Sequence, residues 1–142
     1  MKIGIANDHR GLELKEKLKK YLHDNGYSCV DYGTNQSESV DYVDYAVKLC
    51  NGINNHEIDK GILICGTGIG MSIAANKING IRCARVCNVK EASLASEHNM
   101  ANVIALGEDT LDAEDIVYAF LNTEYSTDER HKRRVNKIMK LE

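Results

Sequence analysis

Gly61-Ile62-Leu63-Ile64-Cys65-Gly66-Thr67-Gly68-Ile69-Gly70-Met71-Ser72 is the stretch that decides the fold of this chain. Ile62, Leu63 and Ile64 form a short, mostly β-branched apolar run bounded by glycines. Such a run fits a strand buried on both faces of a parallel sheet. Cys65 stands where that strand ends, and Gly66 to Gly70 follow as a loop with glycine at every second position. Met71 to about Ile78 reads as a helix. In open α/β sheets, ligands bind beyond the carboxyl ends of the strands, where loops lead into helices. A loop this rich in glycine can turn several backbone N–H groups toward one anion. The thiol at its mouth is placed for chemistry, and the helix end favours the reactive thiolate. The competing reading of Cys65 is a small buried hydrophobe at a tight turn.

Outward from this stretch, strands and helices alternate along all 142 residues. Strands are expected at about 2–6, 28–32, 60–65, 81–86 and 102–106. Helices are expected at about 11–25, 41–51, 71–78, 90–97, 112–121 and 128–141. Leu14, Leu18 and Leu22 repeat every four residues in the first helix, and Gly26 stops it. Tyr42, Tyr45, Ala46 and Leu49 mark the face of the second. Five strands separated by helices predict one α/β domain around a five-stranded parallel sheet covered on both faces. The last helix offers only Val135, Ile138, Met139 and Leu141 as apolar positions. It is therefore a candidate to pack on a partner subunit.

The net charge of −3 gives no electrostatic case for nucleic acid. No apolar run approaches membrane-span length, and the N-terminus reads as a strand rather than a signal peptide, so a cytoplasmic location is expected. Five cysteines without a CxxC pair argue against a disulfide framework or a zinc knuckle. Cys83 and Cys87 read as core residues, and His23 and His56 as ordinary surface or core histidines.

The first strand ends at Asn7-Asp8-His9, so Asp8 and His9 are expected at the same sheet edge as Cys65 to Gly70. His98 and Asn99 end the fourth helix. They reach that edge only by an unusual path within one chain, which points to a second chain as their source. Arg130 and Arg134 are four apart on one helical face, with His131 close to it. Two guanidiniums so placed suit a phosphate dianion, although a solvated basic face fits the spacing equally well.

A thiolate base, an anion-holding loop, a histidine and paired arginines fit aldose–ketose isomerisation of a phosphorylated sugar. That reaction needs a base between C1 and C2, donors for an enediolate oxygen, and an acid–base to open the ring. Backbone donors can hold the charge without a metal. A dinucleotide loop fits less well, because Gly66-x-Gly68-x-Gly70 is not GxGxxG and no acid ends the next strand at Val86-Cys87-Asn88. A cysteine phosphatase loop would need an arginine where Met71 stands. A non-catalytic sugar-phosphate sensor would use the same anion site.

Asp8-His9, Ile64 to Gly70, Ser72 to Lys77, His98-Asn99 and Arg130-His131-x-x-Arg134-Val135 together resemble the ribose-5-phosphate isomerase B family, which includes the galactose-6-phosphate isomerase subunits. The similarity spans essentially the whole chain. It implies a single Rossmann-like three-layer αβα sugar-phosphate isomerase domain over 1–142 that forms a homodimer, or else a tetramer, with active sites shared between subunits. It implies ribose 5-phosphate and ribulose 5-phosphate as substrates, with six-carbon sugar phosphates as the alternative, and neither cofactor nor metal. Cys65 would be the proton-transferring base, and His98 would open the ring with help from Asp8. Thr67 would assist proton movement at the substrate hydroxyls. Gly66, Thr67, Gly68, Ile69 and Gly70 would hold the enediolate, and Asn99 a substrate oxygen. His9, Arg130 and Arg134 would bind phosphate.

Three positions depart from the family pattern. Glu108 and Asp109 follow Gly107 where the family usually carries an arginine at the second place. Val43 stands where proline is common. Arg10 stands where the family residue is small or apolar, and is a candidate to compensate for Asp109.

Overall fold

The computed structural model describes residues 1–142. Five strands form one parallel sheet: β1 (Lys2–Asn7), β2 (Ser28–Asp31), β3 (Lys60–Cys65), β4 (Cys83–Arg85) and β5 (Val103–Gly107). Their order is β2-β1-β3-β5-β4. The connections are helices α1 (Leu12–Asp24), α2 (Tyr42–Asn54), α3 (Ile69–Ala75), α4 (Val89–Asn99) and α5 (Ala113–Asn122), followed by α6 (Glu129–Met139).

Strand alternation divides the core into two layers. Ile3, Ile5, Ile62, Ile64, Ile104 and Leu106 meet the buried faces of α1, α4 and α5. Ala6, Leu63, Cys65, Val103 and Ala105 meet α2 and α3 on the other side. The expected three-layer architecture is therefore present. No helix is long and apolar enough to cross a membrane.

From β1 the chain steps outward to β2, then returns past β1 to β3 and continues the other way. The carboxyl ends of β1 and β3 thus flank the point where strand order reverses, which opens a crevice between diverging loops. Asn7 pairs with Ile64 at this end, and the Asp8 N–H donates to the Ile64 carbonyl at 3.1 Å.

Several boundaries differ from expectation. Helix α3 begins at Ile69, two residues early, because Gly68 closes the loop in the left-handed region at φ 80° and acts as its N-cap. Strand β4 spans only Cys83–Arg85, so Cys87 lies outside the sheet and is exposed rather than in the core. A 3-10 turn at His9–Gly11 precedes α1. Of the four apolar positions foreseen in the last helix, only Val135 is buried, and Ile138 and Leu141 remain exposed.

Candidate active site

A cavity opens at the β1/β3 switch point, lined by Asp8, His9, Arg10, Tyr42, Cys65, Gly66, Thr67, Ile69, Gly70 and Ile73. The Cys65 side chain is only 4% exposed, so its sulfur borders the cavity from within the protein. The Gly68 N–H donates to Cys65 Sγ at 3.1 Å. This bond exists because Gly68 turns its own amide back toward the strand end. The turn also needs glycine sterically: a Cβ there would lie 2.9 Å from the Leu106 carbonyl carbon.

The rest of the loop presents donors. The Ile69 N–H is taken by Thr67 Oγ1 at 3.1 Å, leaving the Thr67 hydroxyl hydrogen available. The N–H groups of Gly66, Thr67 and Gly70 find no acceptor within the chain. They are the backbone donors that an anion can satisfy. The Thr67 carbonyl is held from outside by Arg85 Nε at 2.9 Å. Close contact with β5 fixes the loop further, since a Cβ on Gly107 would lie 3.2 Å from Thr67 backbone atoms.

Asp8 is buried and caps the 3-10 turn: its Oδ1 accepts from the N–H groups of Arg10 at 2.9 Å and Gly11 at 3.2 Å. Its second oxygen remains for the cavity. His9 Nδ1 accepts from the Val40 N–H at 3.2 Å, which leaves Nε2 as the nitrogen that can donate.

Tyr42 and Ile73 are cavity residues that the sequence did not single out, and Tyr42 is the polar one. Its place in an apolar helical stripe reads as core, yet the side chain is 39% exposed. Its ring lies so close to Gly70 that a Cβ there would come within 2.5 Å of it. The apolar stripe alone could not reveal this role. Gly70, just inside the next helix, was the available signal that something packs there.

His98, Asn99, Arg130 and Arg134 lie elsewhere. Helix α4 leaves the carboxyl end of β4 and returns to the amino end of β5. Its eleven residues span about 16 Å, so its last turn sits at the sheet edge opposite Cys65. There the His98 ring stacks on His131 with centroids 4.1 Å apart and planes 5° apart. The Glu97 carbonyl accepts from the Ser126 N–H at 2.8 Å, tying the start of α6 to the end of α4. Arg130 and Arg134 are exposed on α6, and Arg130 pairs with Asp128 at 3.2 Å. One chain therefore holds two separated groups: a thiol, carboxylate and donor loop at one edge, and histidines with guanidiniums at the other. No cluster of three or more His, Cys, Asp or Glu residues has the geometry to hold a metal ion.

Asp109 is exposed and does not line the Cys65 cavity. It lines the neighbouring one with Arg85, Cys87 and Gly107, and the two cavities share Gly66 and Thr67.

A parallel open sheet with a thiol and an anion-holding loop at its switch point defines an α/β protein built for small anionic ligands. Residues 3–138 match the family model described as Ribose/Galactose Isomerase, and the chain belongs to that family. It is 40% identical to ribose-5-phosphate isomerase B of Escherichia coli, with 99% of this chain and 96% of that protein covered. The structure of Clostridium thermocellum ribose-5-phosphate isomerase B matches with a TM-score of 0.95 and 46% identity, covering 99% of this chain and 97% of that one. Ribose-5-phosphate isomerase B of Mycoplasma genitalium, solved with bound ribulose-5-phosphate, matches with a TM-score of 0.92 and 38% identity, covering 99% and 95%.

Proposed function

We propose that this protein is an aldose–ketose isomerase that interconverts ribose 5-phosphate and ribulose 5-phosphate. The observation that carries the reading is Cys65 Sγ at the cavity wall, hydrogen-bonded by Gly68 and followed by backbone donors without acceptors. The ribulose-5-phosphate complex of the Mycoplasma genitalium relative supports the choice of substrate.

In this reading the Cys65 thiolate takes the proton from C2 of the open-chain aldose. The C2–H electron pair becomes the C1–C2 double bond of an enediolate, and the carbonyl oxygen takes up negative charge. The free N–H groups of Gly66, Thr67 and Gly70 hold that charge without metal or cofactor, while those of Gly68 and Ile69 fix the Cys65 sulfur and the Thr67 hydroxyl beside it. Cys65 then returns the proton to C1, and Thr67 moves the hydroxyl proton between O1 and O2. Asp8 and His98 open the furanose ring, and Asn99 holds a substrate oxygen. His9, Arg130 and Arg134 grip the phosphate.

His98, Asn99 and the arginines act on the site of a second copy of the chain. The separation of the two groups within one chain supports this, as does the apolar surface beside the Cys65 cavity. Ile69 is 49% exposed, Ile73 59%, Val43 45% and Val47 37%. A two-fold homodimer covers such a surface and completes two sites at once.

Purified protein is incubated with ribose 5-phosphate and with a panel of six-carbon sugar phosphates. Ribulose 5-phosphate forms from the first, no free phosphate appears, and chelators leave the rate unchanged. Binding without turnover on every substrate would instead establish a sensor, and phosphate release a phosphatase.

A further inference from the structure

Arg10 is the only permanently charged cation among the residues that line the Cys65 cavity. Its side chain is 57% exposed, yet it is held in one orientation. Glu108, from the turn after β5, accepts from Nε through both carboxylate oxygens at 3.1 Å and also from Nη2. This fork uses one edge of the guanidinium. The other edge, Nη1, finds no acceptor in the chain. The flat face of the guanidinium lies against the donor loop: a Cβ on Gly66 would lie 3.4 Å from both Arg10 Nη1 and Cζ. Beside it in the chain is His9, whose free Nε2 is the other donor at this wall.

A carboxylate grips one edge of a guanidinium that lies flat against the donor loop, and its Nη1 at the cavity wall has no acceptor. From this juxtaposition we infer that Arg10 binds the phosphate of the substrate through Nη1, with Glu108 as its positioning residue. The inference rests on the sugar-phosphate reading above. Glu108 above all, then Asp8 and Asp109, act on Arg10 and raise its already high pKa. Arg10 is thus the one cation set among these carboxylates, and without it a phosphate dianion at this wall would meet carboxylates and the His9 ring alone. Asp109, exposed and outside the cavity lining, has no cation of its own to offer, and Arg10 reaches the loop from the opposite strand.

The competing role for Arg10 is a tie between the β1–α1 and β5–α5 turns. Equilibrium titration with inorganic phosphate distinguishes the two without any need for turnover. The proteins compared are wild type, Arg10→Ala, Glu108→Ala and the double variant. Arg10→Ala weakens phosphate binding by about tenfold, Glu108→Ala weakens it by about threefold or less because the guanidinium is still present, and the double variant binds like Arg10→Ala. In the assay with ribose 5-phosphate, KM rises by a similar factor while kcat stays within about threefold. Equal losses in Arg10→Ala, Glu108→Ala and the double variant, or a loss of less than about threefold in Arg10→Ala, overturn the inference. Phosphate binding that depends on Arg10 in a protein that isomerises nothing would sustain the inference while refuting the isomerase reading. Arg10 is exposed, and thermal melts of each variant check that the fold is intact.

Discussion

Cys65 differs from the other four thiols in its surroundings. Burial pushes the Cys50 thiol up to about 12 and raises Cys83 as well. Cys29 is raised by burial and by the nearby Asp31 carboxylate. Cys87 is exposed but borders no donor loop of its own. Cys65 alone accepts a backbone N–H at the mouth of an anion-holding turn. Cys65→Ala is therefore expected to lower turnover by at least ~10³-fold, the scale of a lost general base, while ribose 5-phosphate still binds. Alkylation gives an independent check. In a Cys87→Ser background, iodoacetamide at pH 8 should inactivate in step with labelling of Cys65, and substrate should slow both. Near-normal turnover of Cys65→Ala would remove it as the base.

At the scale of the element, the β3–α3 turn depends on Gly68 more than on its neighbours. Its φ of 80° lies where a side chain is strained, and the added methyl would meet the Leu106 carbonyl carbon at 2.9 Å. Gly68→Ala is expected to destabilise the fold by about 1–3 kcal/mol. It should also move the amide that holds Cys65 Sγ, so kcat falls further than stability explains. Urea denaturation measures the first effect, and steady-state kinetics on the folded fraction the second. Gly26 shares the same φ but has open space where its Cβ would go. Substitution there carries backbone strain alone and should leave kcat unchanged, which makes it the control.

For the whole molecule, the separation of Cys65 from His98 makes a prediction about assembly. Cys65→Ala and His98→Asn are each expected to be inactive. When the two are unfolded, mixed and refolded, about half of the dimers are mixed, and in each of these one site carries both lesions and the other neither. Activity should return to about a quarter of wild type. A mixture that stays inactive while wild type refolds fully would place both residues in one chain's site. The isomerase assignment would survive that result, but the shared site would not.

Local sequence carried much of this. The apolar run at Ile62–Ile64, the four-residue leucine spacing at Leu14, Leu18 and Leu22, and the alternation of strands with helices determined a parallel, doubly covered sheet, because burial demands those periods. The run of glycines after Cys65 determined a loop that leaves backbone N–H groups without acceptors, since no other residue leaves so much backbone free to turn. The order of elements already set His98 and Asn99 apart from Cys65, and three-dimensional packing added α6 with Arg130 and Arg134 to their edge through the His98–His131 stack. The strand order, with β5 between β3 and β4, follows from long-range pairing that no local pattern encodes. Tyr42 looked like core because periodicity reports which face of a helix is apolar, and not what that face meets. The grip of Glu108 on Arg10 joins residues 98 positions apart. Only the adjacency of the β1 and β5 ends around β3 brings those charges together, so that contact belongs to the tertiary structure alone.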